Sequence, residues 1–308
     1  MELIEGVALS ELCDYSFGDQ SGQWGNIYTS FMKDANLMNV EFVSKLFEIK
    51  KSRNYMTLFI DNIRLYKRDI VEVKPEDRPY IESLHRKSDL LKLCGNFPDM
   101  RFVIFTNLED TPTDEFIFDS IPDNVLKIYA VNAIANGGKV IPAPYGVQRR
   151  MSPHDNRADF LKMIMDHVQG EFAKKLLYVS HNENSHSERS GTKKMFIGKE
   201  WATVDTHRVN YDEFLTSLRE HKFMLCPRGN AIDCHRNWEV IYMRRVPIMK
   251  RHPYLEDLYK DYSVLFVDDY SQVTEDLLLN NDHMFIDAQT QDLSKLDINN
   301  FFKNCTKF

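Results

Sequence analysis

The sequence predicts an α/β protein built as two wound units in tandem, and three observations carry that prediction. Short apolar runs, Tyr55-Asp61 (YMTLFID), Arg101-Thr106 (RFVIFT) and Leu126-Val131 (LKIYAV), are unbroken and bounded by Asn, Asp or Pro, as strands buried on both faces of a parallel sheet are. Between them, VEFVSKLFEIKK (40–51) and IESLHRKSDLLKLCG (81–95) place apolar residues three and four apart, which is helical spacing. The alternation then stops and begins again: PYGVQRRMSPHDNR (144–157) is polar with Pro and Gly, and a helical ADFLKMIMDHVQGEFAKK follows it.

The boundary therefore falls near residue 150, giving units of 1–150 and 151–308, with the last helices free to pack back on the first. The second unit runs KLLYVSH (175–181), the helix YDEFLTSLREH (211–221) behind Asn210 as N-cap, KFMLCP, a helix over 233–244, RVPIM, SVLFVDD and the helical SQVTEDLLLNNDHMF. Two successive wound units imply a cleft between them, the usual place for a ligand.

The 308 residues exceed one ordinary core and suit two. A hydrophobic fraction of 43% with 20 Phe and 14 Tyr excludes a largely disordered chain. The formal net charge of -7 argues against a general nucleic-acid coat, although Lys50, Lys51, Arg53 and Arg149, Arg150 form local basic clusters able to grip phosphates. Five scattered cysteines without a CxxC pair fit reduced thiols in a cytoplasm better than a disulfide framework or a zinc site. The N-terminus carries acid early and lacks a basic region, and no window approaches 18 uninterrupted apolar residues, so neither a signal peptide nor a membrane span is expected.

The chemistry gathers in FMLCPRGNAIDCHRNWEVIYMRRVPIM (223–249), where an apolar strand hands over to a helix through a charged Gly turn. In an open α/β sheet, ligands sit beyond the carboxyl ends of the strands, and helix N-termini there attract anions. Gly229 permits close backbone approach, Asp233 is placed to cap the helix, and Arg228 and Asn230 stand on the turn. Arg236 and Glu239, three apart, share one helix face; Trp238, Ile241, Tyr242 and Arg245 form a mostly core-facing stripe. A guanidinium at the first turn suits a diphosphate and a carboxylate one turn on suits ribose hydroxyls, the two halves of a nucleotide diphosphate. The same spacing equally fits a surface ion pair worth roughly 0.2–0.5 kcal/mol.

This stretch resembles the nucleotide-sugar-binding segment of exostosin-like glycosyltransferases: strand, Pro-x-Gly, Arg, Glu, then a Val/Ile-Pro-Ile/Val strand. LLYVSHNENSHSER (176–189) resembles the first strand and loop of that family's C-terminal domain, and YSVLFVDDYSQVTEDLL (262–278) its last strand and following helix. The three matches, in order, cover about residues 140–280. The resemblance implies a GT-B fold, two facing Rossmann-like domains, and transfer of a hexose or pentose from a nucleotide-sugar, UDP-linked, with inversion and without an obligatory metal or other cofactor. Carried over by position, Glu239 is the ribose-binding acid and Arg236 the diphosphate-binding arginine. Arg189 is a second phosphate candidate, and Arg228, Gly229 and Asn230 line the pocket; His235 either touches phosphate or is a satisfied half-buried histidine. The chain departs from the animal members in having no membrane anchor and a short N-terminal domain, which is the part that selects the acceptor.

Inverting transfer needs a general base for the acceptor hydroxyl. In the Gly-rich CDYSFGDQSGQWGN (13–26), Asp19 is the first candidate; Asp19 or Ser21 also suits as a cap for the next helix. Asp61 at the end of YMTLFID is second, Glu109 and Asp110 third. Asp268 and Asp269 look like an acidic metal motif but better suit a strand end and helix cap. No His/Asp/Glu group has ligand spacing, HNENSH (181–186) being the nearest approach and read as a cleft loop. The acceptor is expected to be a glycan or glycolipid precursor, or, in a phage-type enzyme in a host cytoplasm, a hydroxymethylated DNA base; a non-catalytic nucleotide-sugar-binding module is the third reading.

Overall fold

The computed structural model describes residues 1–17, 40–61, 89–107, 121–134, 138–148, 157–165 and 173–307. It divides into two units: Ile4–Ala143 with Ile298–Phe308, and Pro144–Gln148 with Asp155–Asp297.

The first unit holds a parallel sheet of β1 (Tyr15–Ser16), β2 (Tyr55–Asp61), β3 (Arg101–Asn107), β4 (Val125–Ala130) and β5 (Val140–Pro142), hydrogen-bonded in that order. β2 and β3 pair along their full length, from Tyr55 opposite Arg101 to Asp61 opposite Asn107, so their apolar runs are buried on both faces as predicted. Helices α1 (Gly6–Leu12), α2 (Val40–Lys50) and α3 (Asp89–Gly95) belong to it. The last described helix of the chain, named α10 below (Ile298–Cys305), does too: the Phe302 ring stacks on Phe105 at 5.2 Å and the Tyr129 hydroxyl donates to the Cys305 carbonyl at 3.3 Å.

The second unit is the better described. After α4 (Arg157–Met165), β6 (Lys175–Val179) leads to β7 (Ala202–Val204), and α5 (Tyr211–Arg219), β8 (His221–Leu225), α6 (His235–Tyr242), β9 (Val246–Lys250), α7 (Pro253–Leu258) and β10 (Leu265–Val267) follow. The sheet is all parallel, in the order β10-β9-β8-β6-β7. Strand order thus reverses between β6 and β8, and the crevice beyond their carboxyl ends is the topological switch point where α/β sheets hold ligands. Asn210 caps α5 as expected, accepting from the Glu213 amide at 2.8 Å while Glu213 reaches back, a complete capping box. α8 (Glu275–Asn280) and α9 (Asp282–Thr290) replace the single helix expected over 271–285.

α6 is shorter than the 233–244 expected, and Asp233 is not its cap. The helix starts at His235 behind Cys234, whose side chain makes no cap bond. Asp233 lies fully buried instead. Its Oδ2 accepts from the Tyr145 amide at 3.0 Å and from Trp238 Nε1 at 2.8 Å; its Oδ1 accepts from the Tyr259 hydroxyl and from Asn237 Nδ2 at 3.4 Å. Trp238, also fully buried, stacks on Tyr259 with ring centroids 4.5 Å apart. At the other end Arg244 sits at φ 53, in the left-handed region, and its Nη1 donates to the Gln289 and Gln291 carbonyls, each at 3.0 Å. That clamp joins the end of α6 to the end of α9 and offsets the strained backbone.

Because Trp238 both fills volume and holds the buried carboxylate, two substitutions separate its roles. Trp238→Ala is expected to lower the unfolding free energy by about 3–5 kcal/mol. Trp238→Phe, which keeps most of the ring and loses the N–H, is expected to cost about 1–3 kcal/mol in urea denaturation.

Candidate functional site

At the switch point the chain leaves β6 through Ser180 and His181, and leaves β8 through Cys226 and the turn Pro227-Arg228-Gly229-Asn230. Arg189, on a single 3-10 turn (Ser187–Arg189), fastens the two loops together. Its Nε donates to the Arg228 carbonyl at 2.8 Å, its Nη2 to the Pro227 carbonyl at 3.0 Å, and its Nη1 to Ser185 Oγ at 2.9 Å. Burial lowers its pKa, with nearby Arg236 acting in the same sense. The guanidinium is thus largely committed to backbone carbonyls, and it brings positive charge to the turn while fixing its shape.

Gly229 is where that shape is tightest. A Cβ there would lie 3.3 Å from Arg189 Nη2 and 3.5 Å from Cys234 Sγ. The Gly229 amide donates to Cys234 Sγ at 3.0 Å, so the sulfur closes the turn in the place a capping oxygen would take. Arg228 folds its guanidinium over its own loop, Nη2 donating to the exposed Asn230 carbonyl at 2.9 Å, while its amide donates to Glu188 Oε1 at 3.2 Å.

Arg236 crosses the crevice: Nη1 donates to the Ser180 carbonyl at 2.5 Å, and the guanidinium lies 4.0 Å over the Phe214 ring. Its Nη2 has no partner among the described residues. Glu239, one turn on, is 3% exposed; it accepts from the Tyr211 hydroxyl at 3.1 Å and stands 3.8 Å from Arg236 Nε. The pair is therefore not the surface ion pair that spacing alone allowed. It is a buried carboxylate held by a tyrosine, beside an arginine that is about one-third exposed and whose Nη2 has no partner among the described residues. His235, half-buried, stacks on Tyr145 at 4.0 Å and pairs its Nδ1 with the Gly146 carbonyl at 2.9 Å, an orientation that serves the docking of the 144–148 segment.

On the other side of the turn a cavity of about 180 Å³ is bounded by Cys226, Arg228, Asn237, Lys250, His252 and Tyr270. It is smaller than the roughly 300–1,000 Å³ of ordinary small-molecule pockets, so it admits one ring and not a whole nucleotide. Asn237, 2% exposed, is one of its lining residues, and its side-chain oxygen is buried without a hydrogen-bond partner.

Asp19, Ser21, Glu109 and Asp110 lie outside the described residues, as do Arg149 and Arg150; Asp61 ends β2, its side chain outside them. Asp269 caps the 3-10 turn Tyr270–Gln272, accepting from the Ser271 amide at 2.9 Å, as expected of a strand end. Among the described residues no group of three or more His, Cys, Asp and Glu is placed to hold a metal ion, and no helix is long and apolar enough to cross a membrane. Sequence reasoning missed Asp233 as a buried hub, Tyr211 and Phe214 as the partners of Glu239 and Arg236, and His181. The last had a signal: it directly follows the strand end whose carbonyl anchors Arg236.

No family model matches the chain, and no curated protein matches it. Among solved structures, an α1,3-fucosyltransferase aligns over 83% of this chain and 91% of its own at 12% identity, with a TM-score of 0.39. An α1,3-fucosyltransferase with GDP-fucose aligns over 82% and 90% at 14% identity, with a TM-score of 0.34. Likeness at that level carries no argument about the site.

Asp233 titrates unusually. Burial pushes its carboxyl up to about 6 against four hydrogen bonds that favour the anion. Between about pH 4 and about pH 6 the folded chain keeps a proton that the unfolded chain, with an ordinary carboxylate near pKa 3.9, has released. The contribution of this group is present in full below about pH 4 and is lost as pH rises through about 6. The stability difference between wild type and Asp233→Asn is accordingly expected to narrow over that interval, read from urea unfolding at several pH values.

Proposed function

We propose that the chain is a glycosyltransferase that binds a nucleotide-sugar at the β6/β8 switch point and transfers the sugar to an acceptor hydroxyl with inversion. The observation that carries this is the pairing on one face of α6: Arg236, with a guanidinium edge unpartnered among the described residues at the helix's first turn, and Glu239, a buried carboxylate one turn on. A cation at a helix N-terminus beside a Gly turn suits a diphosphate, and a carboxylate behind it suits ribose hydroxyls. The ordered resemblance to exostosin-like enzymes supports the same roles for the same residues.

In this reading Arg236, Arg189, the turn at Gly229 and the N-terminus of α6 stabilise the departing diphosphate electrostatically, the work a divalent cation does elsewhere. The sugar sits toward the cavity beside Asn237. The acceptor hydroxyl loses its proton to a carboxylate of the N-terminal half, Asp19 or Asp61, as it attacks the anomeric carbon from the face opposite the diphosphate. The acceptor is a glycan or glycolipid precursor. For the nucleobase, the resemblance to exostosin-like enzymes points to uridine. The donor is therefore defined by its diphosphate and ribose, with UDP as the first base to test.

A thermal-shift screen across UDP- and GDP-linked sugars is expected to find one donor class that raises the melting temperature. With that donor, slow hydrolysis is expected in wild type and a loss of about ten-fold or more in Arg236→Ala, with Glu239→Ala also reduced. If both variants bind the nucleotide as tightly as wild type, the donor site lies elsewhere.

A further inference from the structure

His181 has no structural employment. It is 8% exposed, it follows Ser180 at the carboxyl end of β6, and neither ring nitrogen meets a hydrogen-bond partner of good geometry. Buried polar groups are nearly always paired, so a ring with both nitrogens idle asks for a ligand. The groups that act on it electrostatically are Arg189 in the loop after β6, Lys193 in the following turn, and Arg236 from α6. Lys193 and Arg236 are held nearby by carbonyls, Lys193 Nζ donating to Asp205 at 2.5 Å and Arg236 Nη1 to Ser180 at 2.5 Å.

The character of the missing partner follows from that ring of cations. None of the three side chains has a lone pair to accept the imidazole N–H, the Arg189 backbone approaches the ring without completing a hydrogen bond of good geometry, and the three cationic groups favour an anion near them. Burial, reinforced by Arg189, Lys193 and Arg236, takes the pKa of His181 down to about 3, so at pH 7 it carries one N–H and no charge. A proton-bearing imidazolium would compete with the arginines for the same anion; a neutral ring adds a donor without adding repulsion.

We propose that His181 is a neutral electrophile at the donor site, giving its one N–H to an oxygen of the bound diphosphate and strengthening that bond as the sugar leaves. The proposal rests on the diphosphate reading of the site. In the step itself the bond between the anomeric carbon and the diphosphate oxygen breaks and its electron pair stays on that oxygen. The acceptor proton goes to the carboxylate base. His181 neither gains nor loses a proton; it donates more strongly to an oxygen whose charge has grown by one.

The test uses the full chain with UDP and GDP as probes. Calorimetric titration at pH 7 compares wild type, Arg236→Ala, His181→Phe, His181→Asn and His181→Gln, with thermal melts of each. Two-bond ¹⁵N correlation spectra of the histidines, with His181 assigned by its absence from the Asn variant, report the ring's protonation with and without nucleotide. The expected result is binding of one nucleotide by wild type and about ten-fold or more weaker binding in His181→Phe. Asn or Gln, whichever places its amide N–H at the donating nitrogen, restores much of the loss. The ring in the complex keeps the two unequal nitrogens of a neutral tautomer. Binding by His181→Phe within two-fold of wild type, or two equivalent imidazolium nitrogens in the complex, overturns the proposal while leaving the donor site intact. Should His181→Phe not fold, the spectrum and the Asn and Gln variants decide. If wild type binds neither nucleotide, the diphosphate reading itself fails and this proposal with it.

Discussion

The carboxylate of Asp233 is the constraint on which the second unit's geometry depends. One buried group takes four donors from three parts of the chain: the amide of Tyr145, the indole and amide of α6, and the hydroxyl of Tyr259 beyond α7. A buried carboxylate is tolerable only when its lone pairs are filled, and each donor here is locked by packing of its own, Trp238 against Tyr259 above all. The result is a rigid seat for the first turn of α6. Arg236 and Glu239 inherit their positions from it, which is why a helix of only eight residues suffices to present them.

The cations of the site divide into two kinds. Arg189 and Arg228 expend most of their donors on the carbonyls of the loops they shape, and Arg245, fully buried without a carboxylate, does the same for the Arg219 carbonyl at 2.6 Å. Arg236 keeps an edge that is unpartnered among the described residues. The first group makes the turn and sets the local potential; the last is available to a ligand. An anion entering the crevice would meet a potential already assembled, with little side-chain ordering left to do, and preorganisation of that kind is what makes electrostatic stabilisation effective.

Much of this was legible from sequence. Apolar runs bounded by Asn, Asp or Pro located β2, β3 and β4, and the runs KLLYVSH, KFMLCP and RVPIM located β6, β8 and β9, because parallel strands buried on both faces leave no polar alternation to confuse the reading. Asn210 followed by Glu213 announced the start of α5. Arg236 and Glu239 stood out because three residues make nearly one helical turn. Asp233 was misread for a reason equally physical: an Asp just before a helix is usually its cap, and only tertiary contacts with Tyr145, 88 residues away, and Tyr259 show it turned inward. The single helix expected over 271–285 resolves into two because Asn281 ends one and begins the next, a junction that continuous helical spacing conceals.

Glu239 and His181 mark the two ends of the same electrostatic problem. Glu239 is buried yet remains close to Arg236, and its oxygen is taken up by the Tyr211 hydroxyl, whose own pKa burial and the carboxylate together raise. The tyrosine therefore stays a proton donor throughout the neutral range, and Glu239 an acceptor suited to hydroxyls. His181, which burial and the nearby Arg189, Lys193 and Arg236 keep uncharged at neutral pH, would take the opposite role, that of a donor. Under the proposed nucleotide reading, Glu239 would meet the ribose hydroxyls and His181 the diphosphate, so the two residues would set the direction in which a nucleotide lies.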